Sequence, residues 1–134
     1  MSSLVVDTNA LLRFILDDVK DQADKVEKIL KKAQDKKIEL IVPQIVIFEI
    51  EFALSKYYGF SKSEILDKIE AILSDKYLKI QSQTTFKKAL ALYGRTSLSL
   101  VDCSLAAYSM ENNAQIFTFD KDLHRLLLDQ KKSI

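Results

Sequence analysis

Leu4-Val5-Val6-Asp7-Thr8-Asn9 opens the chain with a short β-branched run that ends on an acid, and the largely apolar run Ala10 to Leu16 follows at once. The first run is too short for a helix and reads as a strand. An aspartate at the end of a buried strand lies at the mouth of the fold, where open α/β proteins bind their ligands. The same coupling of apolar residues to a single carboxylate recurs at Ile47-Phe48-Glu49, Leu100-Val101-Asp102 and Ile116-Phe117-Thr118-Phe119-Asp120. Two strand-end acids and two on helices are enough to surround a divalent cation.

Working outward, strand signals continue at Glu39 to Val42, Tyr77 to Ile80 and Gln115 to Phe119. Helical stripes lie between them. Val26, Ile29, Leu30 and Ala33 form one; Ile65, Leu66, Ile69, Ile72 and Leu73 form a second; Phe86, Ala89, Leu90 and Tyr93 form a third. Ser61-Lys62-Ser63-Glu64 reads as a capping box ahead of the second stripe. Pro43 suits the start of a helix over Gln44 to Tyr58, which Gly59 closes. Alternating strands and helices predict parallel pairing through right-handed crossovers. The expected fold is an α/β/α three-layer sandwich with a parallel sheet of four or five strands, and residues 1–134 form a single domain.

Counting removes several chemistries. Gly59 and Gly94 are the only glycines, too few for a P-loop or a G-x-G-x-x-G dinucleotide turn. One His and one Cys do not make a conventional zinc site, and His124 alone does not supply both acid and base of a metal-free ribonuclease. Cys103 adjoins an acid, which raises a thiol pKa, so it reads as a small core residue. Oxygen ligands remain, and they favour Mg²⁺ or Mn²⁺. The net charge of +1 provides no global basic field, so a polyanion has to be held locally. No apolar stretch approaches the roughly 20 residues that span a bilayer, and Met1-Ser2-Ser3 leads straight into a strand, so a cytoplasmic protein without membrane contact is expected.

Each acid has a structural role that competes with the chemical one. Asp7 or Asn9 suits an N-cap, Asp120 or Asp122 suits another, and Asp102 follows Ser99 at capping-box spacing. Glu49 differs, because Ile45, Val46, Phe52 and Ala53 are its helical neighbours and an unpaired charge on an apolar surface is costly. Glu51 has similar surroundings, and periodicity does not choose between the two. A shared cation accounts for all four acids together; capping accounts for three.

Asp7-Thr8-Asn9, Glu49 in the helix after Val42-Pro43, Leu100-Val101-Asp102-Cys103-Ser104 and Phe117-Thr118-Phe119-Asp120-Lys121-Asp122, in that order, resemble the PIN domain. More narrowly, the chain is similar to VapC-type toxins of toxin-antitoxin pairs. The resemblance implies a metal-dependent endoribonuclease, with Asp7, Glu49, Asp102 and Asp120 as the acidic quartet, Thr118 orienting the site and Asn9 bracing the first loop. Asp7, Asp102 and Asp120 are the candidate direct Mg²⁺ or Mn²⁺ ligands, and Glu49 is a ligand or holds the attacking water. Arg13, Arg95 and Lys121 are candidates to grip the RNA backbone.

The expected partners are RNA, a protein antitoxin and a second copy of the chain, because the helix Gln44 to Tyr58 is apolar on almost every side. The chain departs from the family in its tail, Leu128 to Ile134, which leaves little room for a C-terminal edge strand. A phosphatase with Asp7 as nucleophile, of haloacid-dehalogenase-like type, is the rival enzyme. Asn9 stands where that motif needs its second acid. An inert PIN-like scaffold is the non-enzymatic alternative.

Overall fold

A computed structural model describes residues 2–16 and 19–128. The chain divides into two compact units, Met1–Gln81 and Ser82–Ile134.

The first unit runs β1 (Ser2–Val5), α1 (Thr8–Leu16), α2 (Lys20–Gln34), β2 (Ile38–Val42), α3 (Gln44–Lys56), α4 (Lys62–Ser74) and β3 (Leu78–Ile80). Its sheet has the order β1-β2-β3, every pairing is parallel, and two helices make each crossover. Leu4 pairs with Leu40, Leu40 with Leu78 and Val42 with Ile80. The four β2 and β3 residues in that set are buried, while the intervening positions carry the Lys79–Glu39 ion pair at 3.0 Å. This alternation follows from the two-residue repeat of a strand. Helix α2 packs on β2, α4 on β3, and α3 on both α1 and α4.

All five apolar residues expected on the α4 stripe turn inward: Ile65, Ile69, Ile72 and Leu73 are buried and Leu66 is half-buried. The capping box forms at its start. Ser61 Oγ accepts from the Glu64 amide at 3.2 Å, and Glu64 Oε1 accepts from the Ser61 amide at 3.0 Å. At the other end of α3, Pro43 is the N-cap and Gly59 takes φ +65°, a conformation that suits glycine. Gln81 Oε1 accepts from the Gln44 amide at 2.9 Å, satisfying a donor that no local residue reaches.

Strand β1 departs from expectation. In the order β1-β2-β3 it stands at one side of the three strands, and all four of its residues are exposed, with Val5 at 70%. It is not the buried strand that its composition suggests.

The second unit comprises α5 (Gln83–Arg95), α6 (Leu100–Glu111) and α7 (Lys121–Leu128). Phe86, Ala89, Leu90 and Tyr93 are buried, as their spacing predicts, and α5 packs against α6. Glu111 ties the two helices at their far ends, accepting from Thr85 Oγ1 at 2.7 Å and pairing with Lys88 at 3.3 Å. Thr96 Oγ1 donates to the Leu92 carbonyl at 2.8 Å and closes α5.

The segment Gln115 to Phe119 does not form the expected strand; only Ile116 makes a single bridge. Just past its middle, Thr118 Oγ1 accepts from the Asp120 amide at 2.9 Å. Phe117 and Phe119 are left 75% and 92% exposed, stacked edge to face at 5.4 Å. The sheet of four or five strands is therefore three-stranded among the described residues. The tail beyond Leu128, where a short or missing edge strand was expected, lies outside them.

This packing makes three predictions about stability. Ser61→Ala should lower the unfolding free energy by about 1 kcal/mol in urea titrations, the typical cost of a lost cap. The Glu64 carboxyl is held below its ordinary 4.5, first by the bond from the Ser61 amide, so its contribution is full above that value and fades as pH falls through the lowered one. Glu64→Gln should therefore flatten the acid limb of the stability curve. A buried Ser104 hydroxyl has no hydrogen-bond partner among the described residues. Ser104→Ala, which removes that hydroxyl from a helix interior, should raise stability by about 1 kcal/mol in the same titration.

Candidate active site

Asp7 lies just past the carboxyl end of β1 and starts α1. Its Oδ1 accepts from the Ala10 amide at 2.8 Å, and its carbonyl accepts from the Leu11 amide at 3.1 Å. Asp7 is therefore the N-cap, and Asn9 is not: it is the second residue of α1, exposed on the surface. The cap engages one carboxylate oxygen. A carboxylate has two, and the second is not needed by the helix, so capping and cation binding are compatible in the same side chain.

Glu49 sits on α3 and borders the same open cavity as Asp7, Thr8 and Asn9, a space of about 740 Å³ with Phe48, Phe52, Tyr57 and Tyr58 on its walls. Glu49 is exposed, so the desolvation cost expected from its apolar helical neighbours does not arise. Helix α3 turns Val46, Ile47, Ile50, Ala53 and Leu54 into the core, which leaves Glu49 on the opposite side with Ile45 and Phe52. Glu51 is half-buried, and of the two glutamates it is Glu49 that borders the cavity lined by Asp7.

In the second unit, Asp120 repeats the device seen at Asp7. Its Oδ1 accepts from the Leu123 amide at 2.9 Å, and its carbonyl accepts from the His124 amide at 3.0 Å, so it caps α7. Thr118 Oγ1 holds the Asp120 amide through the bond described above. Asp102 is half-buried on the first turn of α6, where Ser99 Oγ accepts from its amide at 3.1 Å. The serine makes this cap, so the helix start does not depend on the Asp102 carboxylate. Asp122 is exposed and pairs with Arg125 at 3.5 Å.

Arg13 donates to the Tyr58 hydroxyl at 2.7 Å, an anchor 45 residues away in sequence. Arg95 and Lys121 are exposed, and Lys121 borders an open cavity with Thr118, Asp120, His124 and Arg125. Tyr58 and Arg125 were not singled out in the sequence, because no local spacing links Tyr58 to Arg13, and Arg125 reads as ordinary helix-surface charge.

Among the described residues no three Asp, Glu, His or Cys side chains gather closely enough to hold a metal ion. The pair Asp7 and Glu49 nevertheless fits Mg²⁺ or Mn²⁺ by donor chemistry. Both are hard oxygen donors on an open cavity, and Mg²⁺ takes only one or two protein carboxylates and keeps several waters.

The PIN domain family model matches residues 4–126 and so runs through both units. The chain belongs to the PIN domain family. It is 25% identical over 99 residues to a VapC ribonuclease of Aquifex aeolicus (strain VF5), an alignment that covers 74% of this chain and 73% of that protein. In this PIN domain the sheet is parallel and the fold is α/β, as the alternation of strand and helix signals predicts. No helix among the described residues is long and apolar enough to cross a membrane.

The double duty of Asp7 is testable by substitution. Asp7→Ala should lose about 1 kcal/mol in urea unfolding because the Ala10 amide loses its acceptor, whereas Asp7→Asn should stay close to wild type, since Asn caps nearly as well as Asp. Equal stability of Asp7→Ala and wild type would contradict the cap.

Proposed function

We propose that this protein is a metal-dependent endoribonuclease that serves as the toxin of a toxin-antitoxin pair. The observation that carries the reading is the Asp7 carboxylate, pinned at the carboxyl end of a parallel strand and facing the same cavity as Glu49. Membership of the PIN family and the likeness to a VapC ribonuclease support it.

In this reading Asp7, Asp102 and Asp120 hold Mg²⁺ or Mn²⁺, and Glu49 either joins them or orients the attacking water. The bound ion supplies a water of lowered pKa and neutralises charge on the phosphate. The chain's own contribution is positional. Helix caps fix Asp7 and Asp120, Thr118 fixes the backbone of Asp120, and Asn9 lies in the first turn after Asp7. Arg13, Arg95 and Lys121 hold the RNA backbone, the local arrangement that a net charge of +1 requires. The two units act as one PIN domain of residues 1–134, in a cytoplasmic protein that pairs with itself and with an antitoxin. The phosphatase alternative is not favoured, since Asn9 is the residue where a second acid is needed.

Purified protein should cleave RNA in Mn²⁺ or Mg²⁺ and stop in EDTA. Asp7→Asn and Asp102→Asn should keep the wild-type circular dichroism spectrum and lose at least about 100-fold in cleavage, the scale of a lost charge-stabilising group. Metal that binds only the native state adds about 2.7 kcal/mol at one hundred times its dissociation constant. Mn²⁺ should therefore raise the Tm of the wild type and raise that of either variant less. Undiminished cleavage by Asp7→Asn free of contaminating nuclease contradicts the reading.

A further inference from the structure

We propose that Phe52 and Tyr57 form a stacking ledge for an unpaired RNA base next to the phosphate that is cut; this rests on the ribonuclease reading above. Phe52 lies three residues beyond Glu49 on α3, which places it about 4.5 Å further along the axis on the same side of the helix. Tyr57 is the C-cap of α3, and its amide donates to the Ala53 carbonyl at 2.9 Å, so the backbone that carries the ring is fixed. The two rings meet edge to face with centroids 6.0 Å apart. They are 51% and 72% exposed, so both rings offer surface to a ligand.

A cation borders the ledge. Lys56 Nζ stands 5.6 Å from the Phe52 ring centroid, and Arg13 donates to the hydroxyl of Tyr58, which lines the same cavity as the two rings. Aromatic rings flanked by basic side chains are the recurrent means of binding single-stranded nucleic acid, because every base presents a face and every phosphate a charge. A paired base keeps its faces inside the helix, so the ledge selects unpaired RNA.

A second copy of the chain is the competing occupant, and charge argues against it. The cavity wall that carries Phe52 and Tyr57 also carries Asp7 and Glu49. A two-fold contact centred there would bring those carboxylates against their own counterparts, whereas interface cores are depleted in charge. RNA meets the same wall through a cation bound at the carboxylates and through a base on the rings.

The test uses the full chain and an unstructured oligoribonucleotide that carries 2-aminopurine. In EDTA, wild type should quench the probe by stacking. Phe52→Ala and Tyr57→Ala should each weaken binding about 10-fold and together about 100-fold, while Tyr57→Phe, which keeps the ring, should bind as wild type does. In Mn²⁺ the double alanine variant should lose kcat/KM on single-stranded RNA by a similar factor and keep the full metal-induced rise in Tm, since the carboxylates are untouched. Wild-type quenching and cleavage by the double variant would overturn the ledge and leave the ribonuclease reading standing. A fall from dimer to monomer mass by light scattering, with cleavage retained, would overturn it in favour of a self-interface. Absence of RNA cleavage by wild type would instead remove the reading on which the ledge rests.

Discussion

A carboxylate oxygen accepting a backbone N–H at the first turn of a helix is the interaction on which the proposed site depends. At Asp7 it joins β1 to α1, and at Asp120 it starts α7. A helix start offers unpaired donors and a positive partial charge, so an ionised aspartate is stabilised there and its orientation is set by backbone geometry. The cap bond engages one of the two carboxylate oxygens. Structural and chemical roles are therefore not rivals at these positions: the cap supplies the rigidity that a ligand needs, and removing the charge while keeping the amide separates the two.

The helices that carry these residues are secured by different means. Helix α3 buries five apolar side chains on one side and presents Ile45, Glu49 and Phe52 on the other. Its composition is apolar nearly all round, and that is why one side of it is both exposed and aromatic. In the second unit, α6 likewise buries Leu100, Cys103, Ala106 and Ala107 and leaves Val101, Leu105 and Tyr108 exposed. Glu111 is held below its ordinary 4.5 chiefly by the Thr85 hydroxyl, with Lys88 adding to the effect, so the far end of the α5–α6 pair is fastened by a carboxylate that stays ionised into the acid range.

What the sequence made legible was local. The Ser61–Glu64 capping box, the stripe on α5 and the bounds of β2 follow from residues within a few positions of each other, and each forms nearly as expected. What it hid was set at long range or by competition. Gln81 completes the start of α3 from 37 residues away, and Tyr58 anchors Arg13 from 45. Gln115 to Phe119 has strand composition, yet among the described residues only Ile116 makes a bridge. Glu49 has apolar neighbours at helical spacing, yet α3 rotates the carboxylate to the open side, because Ile47, Ile50 and Leu54 outweigh Ile45 and Phe52 in the core. The sequence singled out four acids; which of them cap, and which merely follow a cap, required the hydrogen bonds.

The central claim is that capping aspartates also hold a divalent cation. Its most direct test is paramagnetic broadening of backbone amide signals by substoichiometric Mn²⁺ in nuclear magnetic resonance. The account predicts that the amides of Thr8, Asn9 and Ala10 broaden together with those flanking Glu49, Asp102 and Asp120, at one common Mn²⁺ concentration and reversibly with chelator. Broadening spread evenly over exposed surface acids such as Asp21, Asp24 and Glu27, with no preference for Asp7, would contradict it.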